Sequence, residues 1–191
     1  MRIDPVAPPF APNVQAFLDR LPASWSPPFK LFTVLARYER LLLRFAAGSV
    51  SYIDPSHVTL RQREVLLLRV TARCRCAYEW GMRVHYFADG AGLSESQVRA
   101  SAHGAADDPC WEPGDRVLLR LADELHETAA ISDALWAELD AGFSAEAILQ
   151  LILMAGQYRT VAYIANAVQL PLEPKVGRPF PAAREDADSA A

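Results

Sequence analysis

The chain has 191 residues, of which 51% are hydrophobic and 22% charged, with a formal net charge of -4. This composition fits one globular domain and excludes disorder throughout, while the acidic balance argues against a nucleic-acid partner, whose footprint needs a basic excess on one face. No stretch reaches the roughly 18 uncharged apolar residues of a membrane span, and the opening MRIDPVAPPF has no apolar signal core, so a cytoplasmic protein without a membrane partner is expected.

Residues 1–29 carry seven of the 14 prolines and predict an extended N-terminal arm, in which only 13–21 has the pattern of a short helix. Phe10, Phe17, Leu18, Trp25 and Phe29 are more apolar side chains than a solvated linker carries, so the arm is expected to lie along its own domain or a partner subunit. After Ser26-Pro27-Pro28, the residues Leu31, Val34, Leu35, Tyr38, Leu41, Leu42 and Phe45 recur at helical spacing as far as Gly48 and predict one helix. Thr59 with Gln62 forms a capping box for a helix over 60–71. A break at 73–75 follows, then a helix over 76–91 ending at Gly92, then a second capping box, Ser94 with Gln97, for a short helix to about residue 102.

Pro113 suits the first turn of a helix over 113–128, and Ser132 and Ser144 cap two more, the last over 145–168 and stopped by Pro171 and Pro174. No segment alternates with period two and β-branched enrichment, so the fold class is all-α, a single-domain helical bundle. The division is an arm over 1–29, a helical domain over 30–175 and a loose C-terminal tail over 176–191.

The residues suited to chemistry gather between 61 and 93. On a wheel of ~100° per residue, Glu64 falls among Leu60, Leu67, Leu68 and Thr71, while Arg61, Gln62 and Arg69 point away. A carboxyl held out of water is the setting for acid–base work, and equally for a structural pair with an arginine of a neighbouring helix. On the next helix Cys76, Glu79, Trp80 and Arg83 are spaced i, i+3, i+4 and i+7 and share a face, whereas His85 lies about 180° from Cys76. Cys76 in a first turn beside Arg73 and Arg75 is favoured as thiolate, although Glu79 opposes this and Cys is often a buried, inert side chain.

Three cysteines, Cys74, Cys76 and Cys110, are too few for a secreted disulfide framework. His57, His85, His103 and His126 are isolated in sequence, no C-x-x-C or H-x-x-x-H spacing occurs, and there is no phosphate loop or G-x-S-x-G elbow, so neither metal nor cofactor is expected.

Glu64, eleven residues, Cys76, then Tyr78-Glu79-Trp80-Gly81 and Ala91-Gly92-Leu93-Ser94 resemble the carboxymuconolactone decarboxylase family, which includes the alkylhydroperoxidase D-like peroxidases. The segments 121–126, Ile131-Ser132-Asp133 with Trp136, Gly156-Gln157-Tyr158-Arg159, Asn166 and Pro171-Leu172-Glu173-Pro174 extend the resemblance over about 30–175. It implies an all-helical subunit of the alkylhydroperoxidase D-like type, a homo-oligomer (trimer or hexamer), and a site where the Glu64 and Cys76 helices meet.

Peroxidase members carry C-x-x-C and then a histidine; here Glu79 stands at the second cysteine and Arg83 at the histidine. The Tyr-Glu-Trp variant is similar to the decarboxylase side of the family. The reading placed first is therefore acid–base, lyase-type chemistry on a small carboxylated or lactone substrate. In it Glu64, Cys76 and Glu79 are the catalytic candidates, with Glu64 as acid/base and Glu79 orienting Arg83 or handling a proton. Arg83, Trp80 and Tyr78 bind the substrate, Arg83 as carboxylate anchor. The second is a peroxidase-related redox protein in which Cys76 attacks a peroxide and Cys74 or Cys110 resolves. The third is a non-catalytic ligand-binding member.

Overall fold

The computed structural model describes residues 1–174 and 177–181. Its described residues form nine α-helices and two short 3-10 turns, with no strand among them. The helices are α1 (Pro12–Leu18), α2 (Lys30–Leu35), α3 (Glu39–Tyr52), α4 (Leu60–Arg73), α5 (Ala77–Phe87), α6 (Glu95–His103), α7 (Pro113–Thr128), α8 (Asp133–Gly142) and α9 (Ala145–Val168). No helix of the described residues is long and apolar enough to cross a membrane.

The bundle is built around α4, which packs against α5, α6, α7 and α9. Every residue from Glu64 to Ala72 is buried, so α4 has no solvent face over most of its length. Arg69, expected to point away from the core, is buried with it, because its guanidinium is matched by Asp123 of α7 at 2.6 and 2.8 Å and by the Gly104 carbonyl at 2.7 Å. Such a charge tolerates burial only when its donors are satisfied.

Local signals place most of the helix ends. Both capping boxes form, the Thr59 and Ser94 hydroxyls accepting from the backbone of Gln62 and Gln97. Ser132 and Ser144 cap α8 and α9. The α4–α5 break is a Schellman turn in which Cys76 N–H reaches the Thr71 carbonyl and Arg75 N–H the Ala72 carbonyl. Arg75 takes the left-handed conformation, φ 51°, at the position where glycine is usual.

The single helix expected over about 29–47 is instead two. α2 stops at Leu35, a 3-10 turn covers Ala36–Tyr38, and α3 runs on past Gly48 to Tyr52. The arm causes the interruption: Val6 N–H takes the Thr33 carbonyl that a continuous helix would offer to residue 37, and the Arg37 guanidinium donates to the Asp4 carbonyl. The arm lies against its own domain, with Val14, Phe17 and Leu18 of α1 buried.

Most of the tail expected over 176–191 lies outside the described residues; its described part, 177–181, runs along α5 and α6. Arg178 N–H donates to the Gly81 carbonyl, its side chain pairs with Glu95, and Phe180 meets the Trp80 ring edge-on at 5.0 Å. A β-carbon on Gly81 would stand 2.1 Å from the Arg178 carbonyl oxygen, so glycine is what allows this approach.

Candidate functional site

α4 and α5 meet at a buried ion pair. Arg83 is 3% exposed, and its Nε and Nη2 donate to Glu64 at 2.7 and 2.5 Å, a bidentate geometry. Arg63, next along α4, adds a third bond to Glu64 at 2.7 Å. Both Glu64 oxygens are thus committed to guanidinium donors. The Arg83 guanidinium lies between two rings, 4.9 Å from the Phe87 centroid and 4.7 Å from that of Tyr158 on α9. Burial works against the Arg83 charge, but Glu64 in particular outweighs it, and the net direction is toward tighter protonation.

On the far side of this pair is a cavity of about 140 Å³. Its walls are aromatic and aliphatic and come largely from the arm and the split helix, with Phe17, Trp25, Phe29, Phe32 and Phe45 among them, closed by Tyr86, Phe87 and Tyr158. Among the described residues two charged ones reach it, Glu79 and Arg83. Arg83 Nη1, the donor that Glu64 leaves over, is 3.4 Å from Glu79 Oε1, a long contact with room for a competing acceptor. Burial raises the Glu79 carboxyl, Arg83 partly offsets it through charge and hydrogen bond, Glu64 adds repulsion, and the result is pushed up to about 7. The arrangement is an apolar chamber with one fixed cation and one carboxyl that exchanges its proton near neutrality.

The six residues singled out from sequence do not form one group. Glu79, Arg83 and the Tyr78 ring line the cavity, while Glu64 sits behind Arg83. The Tyr78 hydroxyl is already engaged, donating to buried Glu173 at 2.7 Å, and Glu173 also accepts from Lys30. Trp80, expected to touch substrate, faces α6 instead; its Nε1 donates to Ser101 at 3.0 Å and its ring is 1% exposed.

Cys76, for which sequence leaves thiolate character at a helix N-terminus and an inert buried side chain both open, is fully buried at the N-cap of α5. Burial pushes its thiol up to about 12, outweighing the opposing pull of the Glu79 backbone N–H, and the charge of Glu79 adds to the rise. His85 is exposed. Tyr158, Phe87 and the arm aromatics were not singled out, because only tertiary packing carries them to Arg83. The one advance sign was the excess of aromatic residues in a proline-rich arm.

No protein-family model and no curated protein sequence matches this chain. Among solved structures it is similar to an uncharacterised peroxidase-related protein from Silicibacter sp. TM1040, with TM-score 0.76 and 18% identity over 92% of each chain. It is also similar to the debrominase Bmp8 in its apo form, with TM-score 0.71 and 14% identity over 90% of this chain and 92% of that one. A third is a protein of unknown function from Agrobacterium tumefaciens described as a putative antioxidant defence protein AhpD, with TM-score 0.64 and 22% identity over 72% of this chain and 94% of that one. At these identities the likeness defines the fold alone, an all-helical AhpD-like one.

Proposed function

We propose that this chain is an acid–base enzyme, carboxymuconolactone decarboxylase-like, acting on a small, largely apolar ring compound that carries a carboxylate together with a lactone or keto carbonyl able to accept its electron pair. The observation that carries the reading is the pairing of Glu79 with Arg83 at the polar end of an aromatic cavity. A volume of about 140 Å³ is comparable to apolar cavities that admit one benzene-sized ring, so a monocyclic substrate is the right scale.

In such a complex the substrate's carbonyl oxygen, where the charge develops, takes Arg83 Nη1, and its ring lies against Phe29, Phe45 and Phe87. The carboxylate β to that carbonyl leaves as CO2, the pair of the broken C–C bond is taken up through carbon onto the carbonyl oxygen as an enolate held by the guanidinium, and the Glu79 carboxylic acid then protonates the carbon. Glu64 is a positioning residue that holds Arg83. The peroxidase alternative has less support in the site itself, because Cys76 is buried with a raised thiol and a glutamate occupies the place of a resolving cysteine.

The test is to incubate the protein with a panel of monocyclic lactone and keto acids in D2O, following CO2 release and carbon-bound deuterium by NMR. Turnover that is lost in Glu79→Gln and kept in Cys76→Ser is the expected result. Turnover that survives Glu79→Gln but not Cys76→Ser would return the site to thiol chemistry.

A further inference from the structure

The Schellman turn gives the two neighbouring cysteines different surroundings. Cys76 enters the core, whereas Cys74 opens on a second cavity, of about 220 Å³, between the end of α4, α7 and α9. Three of its lining side chains carry chemistry: Cys74, His126 and Arg159. Cys74 Sγ is 4.0 Å from His126 Nδ1. The Asn166 side chain fixes the turn to α9 by donating to the Cys74 carbonyl at 2.8 Å. Arg159 spends Nε on the Tyr163 hydroxyl and Nη1 on the carbonyls of Leu125 and His126, and among the described residues no partner is seen for its Nη2. The other lining residues are apolar, Val70, Leu125 and Ile152 among them.

We propose that this cavity is a second site, one that takes short carboxylic acids bearing a displaceable group on carbon, with Arg159 holding the carboxylate and Cys74 as the nucleophile. His126 is its base. The Cys74 proton passes to His126 Nδ1, sulfur forms the S–C bond, and the carbon–leaving-group bond breaks with its pair going to the leaving group. Burial, Arg159 and Arg73 lower the His126 proton affinity, so the resting imidazole is unprotonated and takes the thiol proton only as the S–C bond forms. Burial raises the Cys74 thiol while the Arg159 charge favours the thiolate. Of the remaining thiols, Cys76 is sealed in the core and Cys110 is pushed up to about 11 by burial and Asp108. None of these residues belongs to the Glu79 cavity, so the two proposals stand or fall separately.

The experiment is alkylation of the full-length native chain with iodoacetate or with iodoacetamide, each cysteine quantified by mass spectrometry. With iodoacetate, Cys74 is modified first, at a rate that saturates with reagent and is suppressed by propionate, an unreactive carboxylate. Iodoacetamide shows neither saturation nor protection. Arg159→Gln lowers the iodoacetate rate by about tenfold or more, the scale of one charge-assisted hydrogen bond. Arg159→Lys restores part of it, and Glu79→Gln leaves it unchanged.

Because Arg159 also ties down the end of α7, the propionate arm on the unmodified protein is decisive by itself. A Cys74 rate that is linear in iodoacetate and indifferent to propionate, or earlier modification of Cys110, overturns the proposal.

Discussion

Glu64 and Arg83 are joined by two hydrogen bonds across the α4–α5 seam, and the donor this pair leaves over, Arg83 Nη1, lies 3.4 Å from Glu79, with which Arg83 lines the cavity. The site is therefore only as well placed as the pair behind it. Removing one member of a buried pair strands the other, at about 3–5 kcal/mol. Glu64→Gln is expected to lose that order of stability in urea denaturation. Glu64→Leu combined with Arg83→Met recovers most of it, since both charges leave together. Equal losses in single and double variants would mean that the pair is not a unit.

Glu79 links the cavity to pH. Its carboxyl is near 7 in the folded chain and near 4.3 when unfolded, so the folded state binds the proton more tightly. Its contribution to stability is complete below the unfolded value and is lost as pH rises through the folded one. Between pH 5 and 8 the wild type should become less stable by up to a few kcal/mol beyond the trend of other groups. Glu79→Gln should flatten that part of the profile, as measured by urea midpoints across the range. Parallel profiles would contradict it.

Cys76 should behave as a core residue. Its burial predicts no sulfenic acid after brief peroxide treatment of the native chain, read by dimedone labelling, and labelling only once the chain unfolds. Rapid native-state labelling at Cys76 would revive the redox reading.

Gly81 holds the passage for residues 177–181. Gly81→Ala puts a methyl group into the Arg178 carbonyl. The expected result is displacement of this segment, a cost of about 1–3 kcal/mol from overpacking, and faster amide exchange at Arg178. Unchanged exchange there would mean that the segment accommodates the methyl group.

Much of the frame was legible because its signals are local. Thr59 with Gln62, Ser94 with Gln97, Pro113, Ser132 and Ser144 each mark a helix start within four residues of sequence. The split between α2 and α3 was not, since it depends on Val6 reaching Thr33 from 27 positions away. The same contrast runs through the site. Glu64 is legible from its place on an apolar stripe, where a carboxylate calls for an arginine partner or a role in acid–base work. That the arm would wall the cavity, and that Glu79 rather than Glu64 would line it, follows from how α1 to α3 close over α5.

The most direct test is the titration of the Glu79 side-chain carboxyl by carbon-13 NMR, assigned by its loss in Glu79→Gln. A midpoint near 7 that shifts when a monocyclic carboxylate binds is the predicted result. A midpoint near 4.3, as in an unfolded chain, and unmoved by any ligand, would contradict the account.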